Sequence, residues 1–328
     1  MRLSGAEKLE IINIVVQSEK GVNKTLRELG IHKSTFYNWY NLYLEKGEEA
    51  FFSPLNFSRR GWNTIPEKEK KLVVEMALEH TELSSRELAY KITDEQGVFI
   101  SESSVYRILK KQGLVTAPSH ILISAANEFK DKTSFVHEMW QTDFTYFKIL
   151  GWGWYYLSTV IDDFSRYIVH WELCKTMKVE DIQRTVDRAI KKSGLKKGQV
   201  PKLLSYNGSC YVSGEIKTYL EEEYKMKQIH GRPAHPQTQG KIERYHRTMK
   251  NVVKLHHYYS PEELVSALEK FVNSYNNERY HESLQNLTPA DVYYGRTDEI
   301  LKIRQKIKQE TLLKRKKDYY QQKLKHPE

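Results

Sequence analysis

Three β-rich segments follow one another in the middle of the chain, and this succession most constrains its fold. Each segment is apolar, rich in strand-forming residues and bounded by Gly, Asp or Ser turn residues. The predicted elements are strands Trp140–Leu150, Trp154–Ile161 and Tyr167–Leu173, helix Val179–Lys192, strand Lys202–Ser205, helix Ser213–Tyr224, strand Met226–His230 and helix Gln239–Tyr258. Three antiparallel strands followed by alternating helix and strand indicate an α/β layer with a mixed central sheet.

The first 115 residues instead contain two helix–turn–helix patterns. The first begins with a helix whose predicted core face is Leu9, Ile12, Val15 and Val16. Its later parts are a helix at Asn23–Leu29, a turn at Gly30, and a helix at Thr35–Tyr43 opened by Ser34. The second unit has predicted helices at Lys70–His80, Arg86–Thr93 and Val105–Gln112, with Ser84 and Ser85 as caps. Two such units favour a groove-reading module over a helical bundle used for protein contacts.

DNA is the expected partner of these two units. The net charge is +10 and the sequence pI about 9.2, which suits a polyanion, although a soluble basic surface explains the charge equally well. The last helix of each unit would present its first residues to DNA. The candidate contacts are Lys33, Ser34, Thr35 and Asn38 in the first unit and Ser103, Ser104 and Arg107 in the second.

Several other classes of protein are disfavoured. Cys174 and Cys210 are the only cysteines, which argues for a reducing cytoplasm and against a disulfide framework or a zinc finger. The sequence has no 18-residue apolar run and no signal-type N-terminus, so a membrane role is not expected. The sequence also lacks a GxxxxGK[ST] loop, which binds the phosphates of a nucleoside triphosphate, so nothing in it indicates ATP-driven chemistry.

Two carboxylates are candidates for metal-dependent phosphodiester chemistry. Asp143 lies within a strand whose other residues should be core, where a carboxylate is costly unless it pairs or binds a metal. Its alternative is an Asp on the solvated face of an edge strand. Glu243 lies on the last helix of the core and shares a face with Arg247 and Lys250. That face suits a metal and a phosphate backbone, whereas an ordinary Glu–Arg pair is the alternative.

These segments resemble the RNase H-like catalytic core of the DDE transposase/integrase superfamily, most closely the insertion-sequence transposases of the IS3 type. The matching stretches are WQTDFTYF, YLSTVIDDFSRYIV, LLSYNGSCYVS, HPQTQGKIERYHRTMK and YNNERYHESLQNLTPADVYYG. With the helical front they cover roughly residues 6–296. The resemblance implies that Asp143 and Glu243 are the first and last catalytic carboxylates, which bind two Mg²⁺ or Mn²⁺ ions.

Tyr206 departs from this pattern. The family's second Asp opens an Asp-Asn-Gly-Ser motif after a strand, and here the segment reads Ser205-Tyr206-Asn207-Gly208-Ser209. The distance along the chain to Glu243 is close to the family's usual spacing, so the change is a substitution in place. A phenol is neutral at pH 7 and a poor Mg²⁺ ligand. We therefore expect at least one ion to bind weakly and strand transfer to fall by orders of magnitude.

The resemblance also implies partners and a setting. The expected partners are the double-stranded inverted repeats at transposon ends, target DNA, and further copies of the chain in a homodimer or larger assembly. The expected location is the bacterial cytoplasm, at the nucleoid. Lys241, Arg244, Arg247 and Lys250 are the candidate DNA contacts of the core. The alternative to a transposase is a catalytically inactive end-binding protein that represses or inhibits an active one.

Four segments are predicted along the chain. They are a helix–turn–helix domain at 1–52, a second one at 66–115, the RNase H-like core at 125–296 and a basic helical tail at 297–328. The tail from Arg296 onward has 11 Lys and Arg against 5 Asp and Glu. Trp152 and Trp154 lie at the predicted hairpin, where stacking on bases competes with the commoner role of cross-strand packing.

Overall fold

The computed structural model describes residues 5–18, 21–48, 51, 61–114, 133–195, 198–205, 208–230, 240–254 and 257–325. The chain divides into two compact units, one of residues 1–64 and 314–328 and the other of residues 65–313. The boundaries of the four predicted segments stay a prediction. None of the described helices is long and apolar enough to cross a membrane.

The first unit contains three N-terminal helices, α1 (Gly5–Gln17), α2 (Val22–Glu28) and α3 (Lys33–Lys46). They enclose a small core of Leu9, Ile12, Val15, Leu26 and Phe36. The expectation that Val16 faces this core is wrong, because its side chain is 58% exposed. Ser34 does not open α3 either. The helix begins one residue earlier and is preceded by His32 as its N-cap.

Three helices follow in the second unit, α4 (Glu67–Glu79), α5 (Ser85–Gln96) and α6 (Glu102–Lys111). Ser84 caps α5 as predicted. Its hydroxyl accepts from the Glu87 N–H, and the Glu87 carboxylate accepts from the Ser84 N–H, so two otherwise unpaired donors are satisfied. The core of these helices consists of Val73, Leu88, Ile92, Ile100 and Val105, among others.

The predicted mixed sheet is confirmed. It has five strands in the order β3-β2-β1-β4-β5, formed by β1 (Met139–Ile149), β2 (Gly153–Asp162), β3 (Ile168–Cys174), β4 (Lys202–Ser205) and β5 (Gln228–His230). The first three strands pair antiparallel, and β4 joins β1 in parallel. The last strand is shorter than predicted, because only the final three residues of Met226–His230 pair with β4.

Helices cover both faces of the sheet. On one side, Trp140 and Val160 pack with α7 (Val179–Ser193), α8 (Ser209–Val212) and α9 (Gly214–Tyr224). The opposite side packs against α10 (Gly240–Val253) and α11 (Pro261–Asn277). Successive residues of a strand point to opposite faces of the sheet, so alternate residues are buried in the two hydrophobic cores on its two sides.

At one edge of the sheet, a side chain hydrogen-bonds to the backbone of the edge strand β3. Asn276, at the end of α11, accepts from the Ile168 N–H at 2.9 Å and donates to the Ile168 carbonyl at 3.1 Å. Its amide thus pairs with both backbone groups of Ile168, the first residue of the edge strand β3, as a residue of a further strand would. Because Asn276 is 5% exposed, this pairing also fixes the end of α11 against the sheet.

The last described elements are α12 (Pro289–Tyr293), which Thr288 caps, and the long helix α13 (Thr297–Lys325). The first part of α13 is tied to α5 within the second unit. Arg304 donates to both carboxylate oxygens of Asp94 at 2.7 and 2.6 Å, and Tyr280 donates to the same carboxylate at 2.9 Å. A bidentate pair of this kind holds its partners in one orientation.

Two buried histidines should make the fold sensitive to acid. Burial lowers the pKa of His170 to about 4 and that of His281 to about 3. Both are neutral in the folded chain but titrate near 6.5 when it unfolds. Their contribution to stability is present above about pH 6.5 and is lost as the pH falls toward the folded values, by at most about 1.4 kcal/mol per pH unit for each histidine.

Urea unfolding between pH 7.5 and pH 5 measures this loss. Neither ring nitrogen of His170 hydrogen-bonds to a residue that the structure describes, so His170→Phe should not destabilise the fold at pH 7.5. It should flatten the pH dependence. An unchanged pH dependence in this variant would contradict the assignment.

Candidate active site and DNA-facing helix

Asp143 lies on β1 where the strand faces helix α10. Its Oδ1 accepts from the N–H of Phe144 at 2.8 Å, and its Oδ2 lies 3.6 Å from Nδ1 of His246. The carboxylate is 22% exposed, whereas the His246 side chain is 8% exposed. Asp143 is therefore held at the surface end of a buried contact between the sheet and α10.

Glu243 belongs to the same side of α10 as His246. It lies in the first turn, three residues before His246, and positions three and four apart on a helix share a face. Lys250 is one further turn along. Burial and the nearby Lys254 lower the pKa of Lys250, and Asp143 partly opposes this effect. The face of α10 that carries Glu243, His246 and Lys250 thus lies toward Asp143.

The end of β4 meets β1 beside Asp143. Ser205, the last residue of β4, is in register with Thr142. Tyr206 follows Ser205 directly in the chain, but Tyr206 and Asn207 lie outside the described residues. Tyr211 follows residues 206 and 207 in the chain. Burial raises its pKa, and the nearby charge of Asp143 raises it further. The segments on both sides of residue 206 therefore approach Asp143.

A buried polar network fixes the start of α10 to the sheet. The Gln141 amide donates to Asp163 Oδ1 at 2.6 Å, and its carbonyl accepts from the N–H of Ile242 at 3.1 Å. Lys241 donates to the Asp163 carbonyl at 2.9 Å and forms an ion pair with its carboxylate. Because the first turn of a helix has unpaired N–H groups, Gln141 caps α10 from a neighbouring strand. Glu243 follows this anchored turn.

The neighbouring aspartates at the end of β2 have separate roles. Asp162 orders the turn by accepting from the N–H and the hydroxyl of Ser165 at 2.8 and 2.7 Å. Asp163 instead belongs to the anchor of α10. Burial lowers the pKa of Lys241, as does Arg166, while Asp163 opposes both effects.

The predicted DNA contacts lie at the starts of helices and along α10. Lys33, Ser34 and Asn38 are exposed on α3, and Thr35 is half-buried. On α6, Ser103 and Arg107 are exposed, and Arg107 donates to the Ser103 carbonyl at 3.0 Å. Helix α6 begins at Glu102, earlier than predicted, so Ser103 and Ser104 lie inside it.

On α10 the predicted contacts separate into two groups. Arg244 and Arg247 are exposed and Lys250 is half-buried, so these cations are available to a ligand. Lys241 is engaged with Asp163 and is 21% exposed. The segment before α10, residues 231–239, is rich in Gly, Pro and Gln in the sequence and lies outside the described residues, as do residues 53–60 and the surroundings of Pro118.

Two further residues of the site were not predicted from the sequence. His246 is spaced three residues after Glu243 and four before Lys250, which would have placed it on their face. Gln141 gave no such signal, because its partners Asp163 and Ile242 are far from it in the chain. Among the residues that the structure describes, no three His, Cys, Asp or Glu side chains form a group that could hold a metal ion.

Comparison with known families assigns three segments. Residues 135–236 match the family model "Integrase core domain", and residues 224–289 match a second model with the same description. Residues 35–109 match "Homeodomain-like domain". The first two matches cover the sheet with α7–α11, and the third runs from within α3 to within α6 and so includes parts of both compact units.

Three solved structures are similar to this chain. A simian T-cell lymphotropic virus intasome in complex with a PP2A regulatory subunit has 18% identity and a TM-score of 0.44, over 66% of this chain and 73% of that one. The BIV integrase catalytic core has 20% identity and a TM-score of 0.38, over 50% and 97%. The HTLV-2 integrase catalytic core with magnesium has 18% identity and a TM-score of 0.36, over 48% and 96%.

Proposed function

We propose that this chain, which carries an integrase core of the DDE integrase/transposase superfamily at residues 135–289, binds transposon ends and is severely impaired in cutting them. Such chains act in DNA transposition or integration, and the finer assignment is an IS3-type transposase. One observation carries the proposal. Helix α10, which presents the exposed cations Arg244 and Arg247, contacts the strand carboxylate Asp143 through His246. In the sequence, the position of the family's second Asp is occupied by Tyr206.

The chain's own residues account for holding DNA. Arg244, Arg247 and Lys250 lie along α10 and offer cations to phosphates beside Asp143 and Glu243. The starts of α3 and α6 supply exposed polar and basic side chains to a groove, as expected for homeodomain-like segments. Most of this affinity would be electrostatic, so it would fall steeply with salt.

The donor set does not fit a two-ion centre. Members of the integrase core family use divalent metals such as Mg²⁺, which prefers several hard oxygen ligands. Here two carboxylates, Asp143 and Glu243, come from β1 and α10. His246, whose Nδ1 lies 3.6 Å from Asp143 Oδ2, is a nitrogen donor. We therefore assign the neighbouring cations of α10 to binding the strand end and derive no cleavage step from the two carboxylates.

A second candidate function follows from Tyr206. A chain that occupies transposon ends without cutting them would act as a repressor, or as an inhibitor within mixed assemblies of an active transposase. In both readings the protein is a homodimer or larger multimer that also meets target DNA, in the bacterial cytoplasm at the nucleoid. The identity of residue 206 distinguishes the two functions, and the activity of the Tyr206→Asp variant tests which one applies.

Selection of bound duplexes from a random library, in EDTA, tests end binding. We expect a discrete preferred sequence, with affinity that falls steeply as salt rises. Arg247→Ala should weaken binding to all duplexes and lower the salt slope by about one. Asn38→Ala should instead relax the preference at one or two positions, by about 1–3 kcal/mol.

Lys217→Ala is the matched control. Lys217 is exposed on α9, in the helical layer on the other side of the sheet from α10, so the same loss of charge should leave binding nearly unchanged. If Lys217→Ala weakened binding as much as Arg247→Ala, only the net charge would matter. If no duplex bound above background at low salt, the proposal would fail.

A further inference from the structure

The far half of the β1–β2 hairpin has one uncovered face. From Thr145 to Ile149, residues of β1 alternate between buried and exposed, and the buried ones pack against α10 and α11. In the first half of the strand, Trp140 and Thr142 are buried on the opposite face as well. The helices on that face thus cover the near half of the hairpin and leave the far half open.

Large aromatic rings occupy this open region. Tyr146 and Trp154 are each 52% exposed, and Trp152 in the turn is 56% exposed. Tyr146 and Trp154 contact each other edge to face, with ring centroids 5.5 Å apart. Cross-strand packing therefore accounts for one side of each ring, while half of its surface remains in water. A contiguous exposed apolar area of this kind usually marks a binding surface.

Lysine side chains lie over the same rings. Lys250 approaches the Tyr146 ring at 4.8 Å from its centroid and Lys254 at 6.0 Å, both from α10. Lys148 lies 5.8 Å from the centre of the Trp154 ring. Cations over aromatic faces hold the rings and ammonium groups in one surface. A purely apolar protein partner would have to bury these charges, whereas a phosphate backbone would pair with them.

The surface is continuous with the candidate active site. Lys250 lies over the Tyr146 ring and also interacts electrostatically with Asp143, which partly offsets the lowering of the lysine's pKa by burial. Asp143 and Tyr146 are three residues apart on β1, about 10 Å along the strand, so their side chains leave opposite faces of the sheet. Among the described residues, β4 pairs with β1 only from Met139 to Thr142, and Lys250 lies near both side chains beside the later part of β1. A DNA strand held beside Asp143 can therefore pass around this edge of β1 onto the hairpin within a few nucleotides.

We propose that the exposed hairpin face, formed by Tyr146, Trp152 and Trp154, binds unpaired nucleotides beside the strand end held at Asp143. The bases stack on the rings, and the flanking phosphates pair with the lysines of β1 and α10. Stacking needs free base faces, which a closed duplex does not offer, so the ligand is single-stranded. This inference rests on the proposed function, because the strand reaches the hairpin from a DNA end.

Fluorescence anisotropy with a labelled 12-nucleotide single strand tests the full chain in EDTA. A double variant, Tyr146→Leu with Trp154→Leu, keeps the apolar bulk and removes the π-faces. Its matched control is Tyr146→Phe with Trp154→Phe. Each ring should contribute about tenfold to affinity, so the leucine pair should bind about 100-fold more weakly and the phenylalanine pair within about threefold of the parent. The strand should also quench tryptophan fluorescence in the parent.

Circular dichroism and thermal melting confirm that both variants fold. Equal binding by the leucine pair and the parent would overturn the inference, as would equal losses in the two pairs. Gel filtration adds a third readout, since a leucine pair that binds the single strand normally but assembles differently would make the face a contact between copies. Duplex binding through the helix–turn–helix units is measured separately. If the parent chain did not bind duplex DNA, the proposed function would be refuted. If it bound duplex DNA but not the single strand, only this inference would be refuted.

Discussion

Replacing Tyr206 with aspartate should raise metal-dependent DNA strand cleavage by about 100-fold or more. The change supplies the carboxylate that the family has at this position and raises the formal charge of the three positions 143, 206 and 243 from −2 to −3 at pH 7. A catalytic metal ion lowers the activation barrier by several kcal/mol, and each 1.36 kcal/mol corresponds to a tenfold change in rate. The measurement is single-turnover cleavage and strand transfer of an end duplex in Mg²⁺ and in Mn²⁺.

Two variants separate charge from bulk in this experiment. Tyr206→Asn removes the ring without adding a charge and should gain less than tenfold. Asp143→Asn in the Tyr206→Asp background should abolish the gain. Comparable rates for the parent and Tyr206→Asp would show that the missing carboxylate does not limit cleavage. A gain as large in Tyr206→Asn would make the ring itself the obstacle.

Removing the Asp163 carboxylate should give the largest loss of stability among single changes near the site, about 3 kcal/mol. Asp163 is 2% exposed and accepts from Thr133 and Gln141, each at 2.6 Å, besides its ion pair with Lys241. Asp163→Ala leaves the Lys241 ammonium with only the backbone carbonyl of residue 163 and no carboxylate, and it frees one end of the Gln141 bridge. The free energy of unfolding in urea measures the loss.

The same variant should loosen the start of α10. Hydrogen exchange at the amides of Ile242 and Glu243 should speed up, because Gln141 no longer holds that turn. Asp163→Ala combined with Lys241→Met should cost less than Asp163→Ala alone, since no unpaired cation remains buried.

The control is Asp187→Ala in the opposite helical layer, where Asp187 accepts from the hydroxyls of Tyr219 and Tyr224. It should destabilise the fold and leave exchange in α10 unchanged. A cost below about 0.5 kcal/mol for Asp163→Ala, or no recovery in the double variant, would contradict the role of the anchor.

Local patterns predicted the elements well wherever neighbours in the chain decide the outcome. Strand β4 has the predicted bounds, and the cap at Ser84 forms as expected, since a cap depends on residues three apart. Helix α10 was predicted to reach Tyr258 but ends at Val253. Val16 was misplaced because its position at the margin of the apolar stripe depends on where α2 and α3 pack.

The sequence alone determined the order of strands and helices, the two helical units and the positions of Asp143, Tyr206 and Glu243, because periodicity and motif spacing are properties of the chain. Only the tertiary structure decided which distant residues meet. Asp163 anchors α10 through Lys241, 78 residues away, and Asn276 closes the sheet at Ile168, 108 residues away. It also decided that Tyr146 and Trp154 remain half exposed, since burial depends on which helices cover a face and not on the strand's own residues.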